Sequence, residues 1–168
     1  MSAPPTLRPP HGDAALLRQV FGCFPSGVTA VCAMVDGQPV GMAASSFTSV
    51  SIDPPLVSVC VQNNSQTWPK LRSVSRIGLS VLAADQEAAC RALSNKHGDR
   101  FEGVGWSLLD EGAIIIDGAA AILDCTLHTE MPAGDHAIGL LEIHHVHADL
   151  GTTPLVFHGS RFRRLAEI

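Results

Sequence analysis

Apolar positions along this chain fall mostly into short runs separated by turn residues, and few stretches repeat at helical spacing. Leu16, Leu17, Val20 and Phe21 recur at three- and four-residue steps behind Asp13, which predicts a helix capped by that aspartate and ended by Pro25-Ser26-Gly27. Asp85 to Lys96 repeats the pattern, with Ala88, Ala89, Ala92 and Leu93 inward, the Glu87/Arg91 pair outward, and Gly98 as the stop. A shorter helix follows Thr67 as cap and runs through Leu71 and Val74, with Pro69 tolerated in its first turn.

Strand patterns fill most of the rest. Val28 to Val35 is apolar but for Thr29, as in a buried strand, and Asp36-Gly37 is a strong hairpin signal after it. The return segment, Gln38 to Ile52, is rich in small residues that let a backbone approach another group closely. Asp53-Pro54-Pro55 makes a rigid corner before the apolar run Leu56 to Val61. Further strands are expected at Ile77–Leu82, Ile114–Ile116, Ala119–Glu130, His136–Asp149, Pro154–His158 and Arg161–Leu165. Asp99 to Gly112 reads as irregular, anchored by Phe101 and Trp106, and Pro132 to Asp135 as a turn. These short strands follow one another more often than they alternate with helices, so an antiparallel barrel is favoured over a doubly wound sheet.

Composition narrows the class. The chain has 168 residues, 46% hydrophobic and 16% charged, enough for one domain with a core of its own. Residues 1–12, rich in proline, are expected to form a flexible arm before a domain spanning 13–168. A net charge of −5 argues against nucleic acid, since Arg161, Arg163 and Arg164 are the only basic cluster. No run is long enough for a membrane span, and Met1 to Pro10 lacks the apolar stretch of a secretory leader. The five cysteines lie far apart with no CxxC, which fits reduced thiols in a cytoplasmic protein. No metal site is expected: His145 and His147 share a strand face but lack a partner ligand, and His144 points away.

Gly103-Val104-Gly105 lacks the third glycine and the strand-to-helix context of a dinucleotide fingerprint, and neither a P-loop nor a GxSxG elbow is present. The informative segment is Gly41-Met42-Ala43-Ala44-Ser45-Ser46-Phe47-Thr48-Ser49-Val50-Ser51-Ile52-Asp53-Pro54-Pro55. With Phe21 through Val28, Asn64-Ser65-Gln66-Thr67-Trp68, Gly134-Asp135-His136 and Phe157 through Leu165, it resembles the flavin reductase-like family, the small reductase components of two-component flavin monooxygenases. The likeness spans residues 14 to 165, and its motifs keep their order. One departure is Ala43, where the family often carries threonine.

The resemblance implies a mainly β fold with helices, a split β-barrel of the FMN-binding, Greek-key type, assembled as a homodimer. It implies FMN or FAD as cofactor, reduced by NADH or NADPH, and a partner monooxygenase or halogenase that takes the reduced flavin. The low charged fraction and the absence of tyrosine also suit a large apolar interface. Met42, Ala43 and Ala44 form a low wall for the flat ring, and Ser45 and Ser46 offer hydroxyls and amides to its polar edge. Asn63, Ser65 and Thr67 are neutral donors for the ribityl chain or phosphate, with Val61, Gln62 and Asn64 beside them. Lys96, His97 and Arg100 supply positive charge, Phe101 packs nearby, and Arg161 meets the nicotinamide nucleotide. His136 is the expected catalytic residue, orienting the nicotinamide rather than moving a proton. NADH is preferred, because the arginines at the chain end suit barrel closure better than a 2′-phosphate. Two other readings share these residues. One is a flavin- or haem-binding carrier or sensor of the same fold. The other is a serine hydrolase using Ser45 or Ser46 with His136 and Asp135, disfavoured because adjacent Asp and His meet poorly in a triad.

Overall fold

Asp13 opens the first helix, accepting a hydrogen bond from Leu16 N–H at 2.8 Å. The structure, a computed structural model, describes residues 4–166. The first three residues of the expected arm, and the last two of the expected domain, lie outside the described residues. In chain order the elements are α1 (Ala14–Gly22), β1 (Ser26–Gly27), β2 (Thr29–Val35), β3 (Gln38–Ala44), β4 (Thr48–Ser51) and β5 (Leu56–Gln62). Then come α2 (Trp68–Leu71), β6 (Ile77–Val81), α3 (Glu87–Ser94), β7 (Trp106–Leu108) and β8 (Ile114–Ile116). Two long strands, β9 (Ala121–Ala133) and β10 (His136–Ala148), precede the short β11 (Val156–His158) and β12 (Arg161–Arg163).

The fold is mainly β with few helices. A seven-stranded sheet runs β3-β2-β6-β9-β10-β5-β4, every pairing antiparallel. The barrel expected from the strand succession does not close among the described residues: β3 and β4 are the two edges of this sheet. Small sheets β1-β11-β12 and β7-β8 pack beside it. More strands form than expected: Ser26 and Gly27 make β1 against β11, the return segment divides into β3 and β4, and the stretch read as irregular holds β7, which pairs with β8. Pro132 and Ala133, expected in a turn, belong to β9, leaving Gly134 and Asp135 as a two-residue turn. Asp36 and Gly37 turn β2 into β3 with φ of 50° and 75°, the left-handed pair a two-residue hairpin requires.

The apolar run of β2 after Thr29 has a simple cause: both its faces are covered. Val31 and Ala33 join one core cluster with Val59, Trp68, Leu79 and Leu141. Ala30 and Cys32 join another with Leu82, Leu93, Ile114 and Leu155. Burial pushes the Cys32 thiol up to about 12, so it stays protonated and packs as a small apolar group.

The helices depart from the pattern reading in detail. α3 is shorter than Asp85–Lys96 at both ends and stops at Ser94, whose hydroxyl donates back to the Cys90 carbonyl, well before Gly98. Its buried residues are Cys90 and Leu93, while Ala88 is exposed. Thr67 does not cap α2 through its side chain; the Ser65 hydroxyl accepts from Trp68 N–H instead, at 3.1 Å. No residue of α1 is buried, and Phe21 and Phe24 are 67% and 77% exposed. Among the described residues no helix is long and apolar enough to cross a membrane.

Candidate functional site

A cavity of about 670 Å³ opens between the free edge of β3, the end of β5 with the loop after it, and the chain beyond α3. Met42, Ala43, Ala44, Ser45 and Ser46 form one wall. Val61, Gln62, Asn64, Ser65 and Thr67, from the end of β5 and the loop after it, line it too, as do His97 and His136. The expected site residues that do not line it are Asn63, Phe101 and Arg161. Leu93, Ser94, Lys96, Arg100, Gln66 and Cys60 complete the lining. Gln66 lies inside the Asn64–Trp68 motif without being singled out there, whereas Cys60 carried no sequence signal for this site, because a strand cysteine is as common elsewhere.

The wall is low because β3 carries short side chains, but the closest approach it permits is internal. A Cβ on Gly41 would stand 2.5 Å from Cys32 Sγ and 2.9 Å from Phe101 Cζ. Phe101 therefore packs behind the strand, edge-on to Trp106 at 6.0 Å, and supports the wall without lining the cavity. Arg100 lines the cavity, and its Nη1 donates to the Gly41 carbonyl at 2.9 Å and to Thr67 Oγ1 at 2.8 Å. It thereby fastens β3 to the loop after β5. Because Gly41 turns its carbonyl away from β2, strand alternation presents the N–H and C=O of Ala43 on the same free edge. That edge offers one donor and one acceptor beside a flat apolar wall.

The two serines differ. Ser46 Oγ accepts from Cys60 N–H at 2.9 Å and donates to the Cys60 carbonyl at 3.0 Å, so this hydroxyl stitches the chain after β3 to β5 and is not free for a ligand. Ser45 is exposed at the cavity wall. The commitment of Ser46 removes one nucleophile the hydrolase reading needs. The geometric objection to that reading fails, however: Asp135 Oδ1 and His136 Nδ1 meet at 2.6 Å. This contact holds the Asp135 carboxyl below the usual carboxylate range, first through the hydrogen bond and then through the charge of His136. A lowered carboxylate pKa makes a contribution present above the unfolded value and lost as pH falls through the folded one, so Asp135 stays ionised at neutral pH. With Nδ1 occupied, His136 has Nε2 left for the cavity.

Arg161 is exposed on β12, opposite His158. A second cavity of about 200 Å³, lined by Val28, Cys90, Phe157 and Phe162, shares Ala43, Ala44, Ser45 and Ser94 with the first. Away from the cavity lining, His145 Nδ1 lies 2.9 Å from Asp124 Oδ2, so a carboxylate does stand beside His145, contrary to the expectation that it lacks a partner ligand; Arg76 already pairs with that carboxylate at 3.3 Å.

A model of the flavin reductase like domain matches residues 21–166. The chain belongs to the flavin reductase-like family. It is 37% identical over 157 residues to a flavin reductase of Pseudomonas putida, covering 93% of this chain and 92% of that one. Its structure is similar to that of the Streptomyces globisporus C-1027 NADH:FAD oxidoreductase solved with NAD and FAD fragments, with a TM-score of 0.89 and 40% identity over 96% of this chain and 98% of that one. It is also similar to the flavin reductase component of a bacterial two-component tryptophan halogenase, with a TM-score of 0.84 and 34% identity over 93% and 100% of the two chains. Within the family frame, Cys60 becomes a probe of the cavity. Among the described residues it is one of two exposed thiols, the other being Cys23 at the C-terminal end of α1. Alkylation of Cys60 is expected to slow about tenfold at flavin ten times its Kd, with Cys23 unaffected, as read by peptide mass spectrometry. Equal labelling of Cys60 with and without flavin places the ring elsewhere.

Proposed function

We propose that this protein is an NADH-dependent flavin reductase that supplies reduced FMN or FAD to a separate flavin-dependent monooxygenase or halogenase. The observation that carries this reading is one cavity that gathers a flat small-residue wall, neutral donors, positive charge from Lys96 and Arg100, and a histidine held by a carboxylate. The chemistry belongs to the two bound nucleotides: a hydride passes from nicotinamide C4 to flavin N5. The chain's own residues align and desolvate them. Met42, Ala43 and Ala44 support the ring, and the free backbone edge at Ala43 and Ser45 meets its polar margin. This backbone edge replaces the threonine hydroxyl that Ala43 lacks. Asn64, Ser65 and Thr67 face the ribityl chain and phosphate, with Lys96 and His97 as counter-charge. His136 presents Nε2 to the nicotinamide amide, and no proton has to be moved for the hydride step.

In this reading the open margin between β3 and β4 is the split of a Greek-key split barrel. Residues 13–168 form the domain behind a short arm. The exposed apolar residues Val20 and Phe21 of α1, with Phe24 just beyond it, suit a homodimer interface. NADH as substrate goes with a cytoplasmic location.

The protein mixed with NADH and either flavin is expected to consume NADH, followed by its absorbance. His136→Ala is expected to lower kcat/KM for NADH by about ten- to a hundredfold, with flavin Kd changed less than about twofold. Flavin binding without NADH turnover by the wild type would make the protein a carrier or sensor.

A further inference from the structure

The hairpin that carries His136 has a fastening that the proposed chemistry does not use. Asn63, the first residue beyond β5, donates twice to the turn between β9 and β10. Its backbone N–H reaches the Asp135 carbonyl at 3.0 Å, and its side-chain Nδ2 reaches the Gly134 carbonyl at 3.2 Å. Gly134 and Asp135 are the two turn residues, and His136 follows at once, opposite Gln62 in the β5 ladder.

Lower on the hairpin, other contacts do the holding. Glu130 accepts from the indole N–H of Trp68 and from Arg72 Nη1. Gly139 leaves room for the Trp68 ring, which a Cβ there would meet at 2.8 Å. These contacts hold the hairpin at the fourth cross-strand pair below its turn. The tip is exposed and turns on Gly134 at φ 67°, a residue with no side chain to pack. Asn63 makes the contacts that tie it to the cavity loop. Gln62 and Asn64 line the cavity on either side of Asn63, but Asn63 does not, and its amide donor is already engaged.

We infer that Asn63 is a positioning residue for His136 and not a flavin contact. Two donors from one residue, on consecutive carbonyls, remove both the slide and the tilt of a two-residue turn. Asp135, whose carboxylate holds His136 Nδ1, is one of the two residues so fixed. Removing Nδ2 frees the Gly134 peptide, and the Asp135–His136 unit moves with it. This inference rests on the reading of His136 as the nicotinamide-facing group. Displacement of such a group by about 1 Å can cost up to about a hundredfold in rate.

The test compares the full-length wild type with Asn63→Ala, Asn63→Asp, His136→Ala and the Asn63→Ala/His136→Ala double variant. Asn63→Asp keeps the shape but sets an oxygen against the Gly134 carbonyl. Each Asn63 variant is expected to lower kcat/KM for NADH about tenfold, chiefly through KM, with flavin Kd within about twofold of wild type. In the His136→Ala background, Asn63→Ala is expected to add no further loss. A readout independent of turnover goes with it. The His136 ring signals in the NMR spectrum of the ligand-free protein, assigned by their loss in His136→Ala, should shift in Asn63→Ala while other histidine signals stay. Additive losses, or weaker flavin binding with NADH kinetics intact, would overturn the inference. So would His136 signals that do not move. If His136→Ala itself leaves NADH kinetics unchanged, the reading of His136 fails, and the NMR shift alone decides whether Asn63 positions it.

Discussion

Gly78→Ala is expected to be the most damaging single-methyl change in this chain. Gly78 sits in β6, between Cys32 of β2 and Asp124 of β9. A Cβ there would stand 2.0 Å from the carbonyl oxygen of Ile114 and 2.7 Å from its carbonyl carbon. Both are backbone atoms, so no rotamer change relieves the clash. β8 would have to lift off the sheet, breaking the bond from Ile116 N–H to Ser80 Oγ at 2.9 Å and opening the core around Ile114 and Ile116. Overpacking of a core usually costs about 1–3 kcal/mol, and an immovable neighbour puts this case at about 3 kcal/mol or more. For a domain of this size that corresponds to a fall of roughly 10 °C in Tm, read by circular dichroism. A change of under about 2 °C would mean that β8 slides freely over β6.

The second large effect is expected at the residue opposite Gly78. Asp124 is buried and pairs with Arg76 Nη2 at 3.3 Å; Arg76 is buried too, and its Nε lies 2.9 Å from the exposed Glu111. Asp124→Ala strands a buried guanidinium with one exposed partner. Breaking a buried pair from one side costs about 3–5 kcal/mol, and Glu111 holds the expected loss near about 3 kcal/mol. The double variant Asp124→Ala/Arg76→Met is expected to recover much of that loss, since no buried charge is then left unpaired and Glu111 is exposed to water. Urea denaturation midpoints at equal m-values measure both. A loss below about 1 kcal/mol for Asp124→Ala would show that Glu111 alone satisfies Arg76. Neither change touches the cavity, so surviving folded protein should keep its flavin affinity.

These two residues show how legible the chain was. Gly78 lies in a run, Ile77 to Leu82, that reads as a buried strand, and a strand forms there, ending one residue sooner at Val81. Nothing local says that the Ile114 carbonyl lies against it. Asp124 sits inside an apolar strand pattern, where an acid is an anomaly without visible cause, until Arg76 and His145 are brought to it from other parts of the chain.

The candidate site divides along the same line. Motif order and residue type brought Met42 to Ser46, the loop around Asn64 and Ser65, and His136 onto one cavity's wall. Which polar atoms remain free there was not legible. The Ser46 hydroxyl is taken by the Cys60 backbone, the Asn63 amide by Gly134, and one Arg100 nitrogen by Gly41 and Thr67, all across long sequence separations. The mixed character of β9 and β10 likewise hid their full length, because strands 13 residues long run past the core and carry no single face of burial there.

The sequence by itself determined what depends on neighbours along the chain. Asp13 as a cap, the Asp36-Gly37 hairpin, strands at the doubly buried runs, and membership of a family through ordered motifs are all of this kind. Backbone dihedrals and side-chain periodicity set these within a few residues. The tertiary structure alone decided the open edge of the sheet, the placing of Phe101 behind Gly41, and the division of polar side chains between stitching the fold and facing the cavity. Each of these depends on which distant backbone group arrives within hydrogen-bond or van der Waals reach, and that is settled only when all the strands pack at once.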